Sequence, residues 1–460
     1  MFINKWIERE DIEVINPYTL EIIKKIPALS REEVKEAIDL AYENKDKAKL
    51  SKTKRYNILM YISNKIKEKK EELAKILAID AGKPIKQARI EVDRAITTFK
   101  LAAFYVKELR GEVIETNDKL ILTRREPIGL LAAITPFNFP LNLSAHKIAP
   151  SIAVGNFILH HPSIKAPLAT IELAKIIEEA YKKYSDYVPY YLLTGLGEVV
   201  GDELVVNEKI NMISFTGSTY VGEEITKKAG FKKIHLELGG VNPNLVLKDA
   251  DINKAVKSLV KGSFLYAKQV CIAVGVILVD EEIADTFIKK FVEETKKLKV
   301  GNPLNEETDV GPVITLEHAK FAETLINRAI EDGAKLLLGG RREKSIIYPT
   351  ILEVDRDNFL CRTETFAPIV PIVRCSEEEM LDIANSLEYG LHSAIFTQNI
   401  NKALSFAENL EFGGVIINDS SLYRVDNMPF GGVKKSGLGR EGIKYAIEEM
   451  SEIKTICISK

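Results

Sequence analysis

Cysteine and histidine are scarce: four cysteines and six histidines in 460 residues. Cys271, Cys361, Cys375 and Cys457 form no Cys-x-x-Cys pair and stand near no histidine cluster. That spacing disfavours a structural zinc site, so no metal is expected, and a disulfide framework makes little sense in a chain this long. Both points suit a reducing cytosol. The opening Met1-Phe-Ile-Asn-Lys-Trp6 lacks the long apolar run of a signal peptide, so a cytoplasmic location is expected. Excess charge of one sign is missing as well. With 64 basic and 66 acidic residues, the net charge of −2 offers no basic field for nucleic acid. Clean hydrophobic spans are also lacking. Residues 127–145 carry no charge but are interrupted by Pro127, Pro136 and Pro140 and made polar by Asn138 and Asn142. A lipid-facing helix would not tolerate so many breaks in its hydrogen-bond ladder, so no membrane partner is expected. The stretch reads instead as a buried strand followed by a loop lining a cavity. Internal repeats and low-complexity linkers are absent.

What remains is a globular composition, 46% hydrophobic and 28% charged, long enough for two or three domains. Short apolar runs at 130–135, 156–160, 212–216, 245–247, 276–279 and 394–397 read as buried strands. Between several of them lie stretches with helical apolar spacing, 168–183 and 252–265 among them. Strands alternating with helices imply parallel sheets covered on both faces, an α/β fold. In such sheets ligands collect at the carboxyl ends of strands.

Four segments carry possible chemistry. Thr135-Pro-Phe-Asn-Phe-Pro140 follows a strand, and its prolines fix the path of Asn138. A carboxamide in an apolar cleft is a good donor to a developing oxyanion, although an Asn that merely closes a turn looks the same. Phe215-Thr-Gly-Ser-Thr-Tyr-Val-Gly222 also leaves a strand. Gly217 would allow a sharp turn, and the following helix start would offer amide hydrogens to a phosphate. This is not the Gly-x-Gly-x-x-Gly fingerprint, and a plain strand-to-helix turn reads equally well. In Ile234-His-Leu-Glu-Leu-Gly-Gly240, Glu237 is either a general base with a raised pKa or a carboxylate on the wet side of the strand. In Gln269-Val-Cys271, the cysteine is either a nucleophile or buried filler.

In order and spacing these segments resemble the aldehyde dehydrogenase superfamily. Glu237 and Cys271 are 34 apart, Glu364-Thr-Phe-Ala-Pro368 and Tyr389-Gly-Leu follow, and Pro429-Phe-Gly-Gly-Val-Lys-Lys-Ser-Gly-Leu-Gly-Arg-Glu441 resembles the family's C-terminal signature. The likeness runs from Trp6 to Lys454. It implies oxidation of an aldehyde to its acid with NAD or NADP. Cys271 attacks the carbonyl, Asn138 and the Cys271 amide hold the oxyanion, hydride leaves for the nicotinamide, and Glu237 activates the water that hydrolyses the thioester. By the same likeness Glu364 grips the nicotinamide ribose, with Phe366 beside the ring. Gly217, Ser218 and Gly222 approach the pyrophosphate. Thr135, Pro136, Phe137, His161, Ser163 and Leu238 complete the cofactor set. A Rossmann-type cofactor domain is expected over 1–108 and 128–236 and an α/β catalytic domain over 237–431. A small β oligomerisation arm with a C-terminal segment takes 109–127 and 432–460. The strands at 119–125 and 454–459 look too isolated to be stable alone, and the resemblance implies that they extend a neighbour's sheet in a homodimer or homotetramer.

Departures from the family pattern qualify this. Lys268 stands where a Gly usually precedes Gln-x-Cys, and Tyr266 where an Asn is common. An ammonium there could lower the thiol pKa or crowd the cleft, and a left-handed turn would cost it about 1 kcal/mol or more. The loop from Val188 to Gly195 is short. His161-Pro-Ser-Ile164 lacks the glutamate that would share the adenosine ribose, which makes NADP admissible. His161 itself either meets a phosphate when protonated or is hydrogen-bonded in place. Arg424 either holds an anionic aldehyde or pairs with Asp426 or Glu441 at the surface. The overall likeness favours a small neutral hydroxyaldehyde such as lactaldehyde over glyceraldehyde 3-phosphate or succinate semialdehyde. Two rival classes stand beside this reading. A phosphate-forming or CoA-acylating relative, in which phosphate or CoA rather than water takes the acyl group, would leave Glu237 without a task, and a non-catalytic cofactor-binding homologue would leave three chemical residues unused.

Overall fold

The computed structural model describes residues 1–459. Its first sheet has eight strands in the spatial order 5–6, 2–3, 190–192, 157–162, 130–135, 212–216, 233–237 and 437–438. The five from Tyr190–Leu192 to Lys233–Glu237 run parallel. Leu130–Thr135 and Phe157–Pro162 are buried at every position, which is why they read as near-continuous apolar runs. The strand order turns back between Leu130–Thr135 and Met212–Thr216. Their carboxyl ends, at Thr135 and Thr216, therefore border a crevice of the kind where parallel sheets bind ligands.

The second sheet has seven strands in the order 335–338, 350–353, 369–375, 274–280, 242–246, 392–396 and 414–417, all parallel except the first. Its core includes Leu245, Ile277, Ile372 and Ile395, packed under helices such as Ile252–Phe264. The chain leaves the first sheet at Glu237 and enters the second at Asn242. The carboxyl ends of the first sheet are thus joined by four residues to the amino ends of the second.

The uncharged stretch resolves into the buried strand, a loop at 136–141, and the helix Asn142–Val154, which is buried on every face. No helix among the described residues is long and apolar enough to cross a membrane. Sequence-read strands at 245–247 and 394–397 begin two or three residues earlier, at Asn242 and His392. The added residues are buried and, apart from Pro243, polar. Asn242 Nδ2 donates to the carbonyls of Cys271 and Ala273 (both 2.8 Å), and His392 Nδ1 bonds the Ser421 carbonyl.

The two strands that looked isolated pair with each other. Ser451–Ser459 runs antiparallel to Lys119–Pro127 over nine residue pairs, and Val113–Glu115 adds a third strand. The segment between Val433 and Met450 returns to the first sheet. Gly437–Leu438 pairs with Leu236–Glu237, and Ile443, Ala446 and Ile447 pack into the core beneath it.

Candidate active site

One cleft of about 890 Å³ lies where the two sheets face each other. It brings together Asn138, Glu237 and Cys271 with Thr135, Pro136, Phe137, His161, Ser163, Gly217, Ser218, Leu238, Glu364, Phe366 and Arg424. Gly222 is the sequence-read residue it leaves out. A Cβ on Gly222 would stand 2.5 Å from Leu238 Cδ2, so this glycine lets its helix pack closely on Leu238. Gly217 is needed for space, not for a turn. Its φ is not positive, and a Cβ there would lie 2.3 Å from the Phe215 ring.

Cys271 sits ahead of the strand Val274–Asp280, on a loop wound through three successive left-handed residues: Tyr266 (φ 51°), Ala267 (φ 51°) and Lys268 (φ 61°). Side chains do not favour that region, so the surroundings must hold it. Tyr266 Oη donates to the Ala81 carbonyl (2.7 Å), and Gln269 Oε1 accepts from Ile314 N–H (2.8 Å). Beneath them the buried Lys83, paired with Glu91, lies over the Tyr266 and Phe139 rings at 4.5 and 3.6 Å. Glu91 also accepts the Leu141 and Asn142 amides, so one ion pair braces both the nucleophile loop and the Asn138 loop.

Asn138 is locked by its own amide. Oδ1 accepts from Phe139 N–H (3.1 Å), and Nδ2 donates to the Gln269 carbonyl (2.9 Å). An amide nitrogen has two hydrogens, so one is left for a ligand oxygen. Lys268 neither crowds the cleft nor ionises the thiol. Its Nζ turns away and is buried, donating to the Ile369 carbonyl; burial pulls its pKa down to about 7, against the pull of Glu364.

Glu237 ends its strand buried, so the wet-side alternative fails. Burial first, then Glu441, pushes its pKa well above the carboxylate range, while Arg424, Lys147 and Arg440 pull it back. Glu441 is equally buried, yet Lys147 and Arg424 hold it well below that range. Two adjacent carboxyls thus take opposite states, one ready to exchange a proton and one fixed as a charge. Burial pushes the Cys271 thiol up to about 12, and Arg424 is the largest opposing influence.

Arg424 does pair with Glu441 (2.8 Å), but the pair is buried rather than at the surface; Asp426 is taken by Arg94 and His146. The guanidinium lies 3.6 Å over the Phe430 ring, and its Nε has no partner. Lys147 and His235 were missed in the sequence, and Glu441 was read there only as a surface partner of Arg424. Lys147 and Glu441 face each other 294 residues apart, a contact with no local signal. His235, two residues before Glu237 on the same strand face, could have been found by strand alternation.

The structure fits a dinucleotide. The helix Thr219–Lys228, capped by Ser218, begins at the cleft, and Ser218 and Tyr220 line it. A Cβ on Gly239 would meet Glu364 Oε2 at 2.1 Å, so only glycine lets that carboxylate lie against the backbone, where Oε1 accepts from Gly240 N–H. Phe137 and Phe366 meet edge to face at 6.0 Å. His161 is buried, its Nδ1 hydrogen-bonded to the Leu193 carbonyl (2.9 Å) and its pKa lowered by burial. Its burial and this bond favour the alternative of a histidine hydrogen-bonded in place. At that end the cleft carries Lys165 and Lys228 opposite Glu198, Asp202 and Glu224, with Asp202 already engaged by Arg31 and Lys228.

A thiol, a carboxamide with a spare hydrogen and a buried carboxyl sharing one large cleft are the groups that oxidation of an aldehyde calls for. Residues 6–456 match the aldehyde dehydrogenase family, and the chain belongs to it. It is an NAD(P)-dependent oxidoreductase acting on aldehydes. Lactaldehyde dehydrogenase of Methanocaldococcus jannaschii is 74% identical over the whole of both chains. The 3-sulfolactaldehyde dehydrogenase of Priestia aryabhattai is 41% identical, over 98% of this chain and 95% of its own. Among solved structures, a glyceraldehyde-3-phosphate dehydrogenase of Methanocaldococcus jannaschii complexed with NADP superposes with a TM-score of 0.98 at 74% identity, over 99% of this chain and 100% of that one.

Proposed function

We propose that this enzyme oxidises lactaldehyde to lactate, with NADP accepted as well as NAD. The observation that carries the substrate reading is the Arg424–Glu441 pair: the cation nearest Cys271 is already neutralised, so a small uncharged aldehyde meets no unmatched charge. The 74% identity to a lactaldehyde dehydrogenase supports it. A second reading, an anionic aldehyde, has its own support in the unpartnered Arg424 Nε and in relatives named for phosphorylated and sulfonated substrates.

Cys271 Sγ adds to the aldehyde carbon, its proton leaving to a base in the cleft. The free hydrogen of Asn138 Nδ2 and the Cys271 amide meet the oxygen as it becomes negative, each donor worth about 3 kcal/mol. When bound, the nicotinamide supplies the two-electron oxidant, and its positive charge favours ionisation of the acids nearby. Glu237 then takes a proton from water, the oxygen bonds the acyl carbon, and the carbon–sulfur bond breaks to release the acid. Glu364, held against Gly240, would hold the nicotinamide ribose. Ser218, Gly217, Thr135, Pro136 and Ser163 border the rest of the dinucleotide. Residues 1–108 and 128–236, which supply most of the first sheet and its helices, act as the cofactor domain, and 237–431 as the catalytic one, with Gly437–Leu438 added at the edge of the first sheet. Four free cysteines suit a cytoplasmic enzyme, and the edge strand Ser451–Ser459 serves a homo-oligomer.

Steady-state kinetics on lactaldehyde and glyceraldehyde 3-phosphate with both cofactors test this. Lactaldehyde should show the higher kcat/KM, and NADP should come within about tenfold of NAD, a gap of about 1.4 kcal/mol. A hundredfold preference for the phosphorylated aldehyde would replace lactaldehyde by the second reading.

A further inference from the structure

Glu237 has a buried imidazole beside it. His235 lies on the same face of the strand Lys233–Glu237, fully buried, with Nε2 3.3 Å from Glu237 Oε1. Neither His235 Nε2 nor either Glu237 oxygen has a hydrogen-bond partner in the protein. Buried polar atoms are rarely left so, and here the unpaired atoms of two side chains face each other. Room for the imidazole exists because residue 439 is glycine (φ +84°), where a Cβ would stand 2.6 Å from His235 Cδ2.

The other ring nitrogen is tied into a line of donors. His235 Nδ1 lies 3.3 Å from Ser214 Oγ, which accepts from Lys147 Nζ at 3.1 Å, and Lys147 Nζ reaches Glu441 Oε1 at 3.3 Å. A lysine ammonium only donates. With one of its acceptor sites filled by Lys147, the Ser214 hydroxyl is free to donate to Nδ1, which leaves the imidazole hydrogen on Nε2, aimed at Glu237.

We propose that His235 is a positioning residue for Glu237, its Nε2–H giving the ionised carboxyl its hydrogen bond inside the protein and so keeping it available to take the water proton. This rests on the reading of Glu237 as the water-activating base. A small rotation of the carboxyl makes the 3.3 Å contact a hydrogen bond. No proton leaves the histidine: the water O–H bond breaks, its proton goes to Glu237, and the line from Lys147 through Ser214 and His235 stays intact. Burial pulls the His235 pKa down to about 4, so the ring stays neutral through the working range. The charged groups around the pair are Lys147 from the helix Asn142–Val154, Arg424, and Arg440, Glu441 and Glu449 from the C-terminal segment. All are fixed by other partners, apart from Glu237 itself.

The test is stopped-flow formation of NADPH, followed by steady-state turnover, from pH 5.5 to 9. Wild type, His235→Ala, His235→Gln and Glu237→Gln are compared on lactaldehyde, or on glyceraldehyde 3-phosphate if wild type prefers it. His235→Ala should keep the burst of one NADPH per site, slow the steady state at pH 7 by about tenfold or more, and move its acid limb up by about one pH unit, because an unassisted buried carboxyl ionises later. His235→Gln places an amide donor near the same point and should restore the limb to within half a unit, about the resolution of such a profile. An unchanged limb and rate in His235→Ala, or a limb displaced downwards, overturns the proposal. Should His235→Ala not fold, a full-unit shift in His235→Gln overturns it instead. Glu237→Gln separates the underlying reading. Wild-type steady-state turnover in that variant would remove Glu237 as the base, whereas a slow Glu237→Gln beside a normal His235→Ala removes only the histidine.

Discussion

Asn138 commits one amide hydrogen to the Gln269 carbonyl, so the proposed oxyanion donor and the loop that carries Cys271 are fixed to each other. Asn138→Ala should therefore lower kcat by about 10²–10³ with little change in aldehyde KM, because the lost contact strengthens only as the oxygen becomes charged. Cys271→Ala should abolish acid production altogether while cofactor affinity, measured by fluorescence titration, stays intact. Persistence of a tenth of wild-type turnover in that variant would exclude a thioester at this position. Lys268 makes a prediction about stability. It combines a left-handed backbone with a buried ammonium whose pKa falls from an ordinary 10.5 to about 7. Below pH 7 both folded and unfolded chains carry the proton and the full cost of burial is present. Between 7 and 10.5 only the unfolded chain keeps it, so stability rises with pH through that window. Lys268→Gly removes both penalties and should raise Tm, by more at pH 6 than at pH 10. An equal rise at both would leave only the backbone term.

The strand Ser451–Ser459 shows how an element can be stable without a neighbouring molecule. Nine register pairs with Lys119–Pro127 satisfy one edge, while Ile453 (61% exposed) and Ile458 (47%) stay open to solvent. The free edge and these isoleucines support its role in a homo-oligomer. Removing residues 451–460 leaves the core helix Ile443–Glu449 in place. The truncated chain should elute as a monomer in light-scattering chromatography where the full chain does not. A truncated chain with unchanged mass per assembly would assign the contact elsewhere. The sheet elements also explain why some boundaries were misread. Strands such as Asn242–Val246 begin with buried asparagines whose amides hold distant carbonyls. Apolar periodicity registers such strands as shorter than they are.

At the scale of the molecule, two parallel sheets meet end to end, the carboxyl ends of one against the amino ends of the other. The cleft takes Glu237 from the first and Cys271 from the approach to the second. The rule that ligands gather at carboxyl ends therefore placed the first half of the site and is silent on the second. The sequence by itself determined the α/β class, the strands at 130–135 and 212–216, and the ordered motifs around Asn138, Glu237, Cys271 and Glu364. Those motifs are local, and the chemistry of a carboxamide, a carboxyl and a thiol is written in their residue types. Legible only in three dimensions are which carboxyl is held above its usual range and which below it, that Arg424 is already paired, that His161 is hydrogen-bonded in place and that Lys268 points away from the thiol. Each of those depends on burial and on partners tens to hundreds of residues distant, because desolvation and Coulomb interactions act through space and not along the chain.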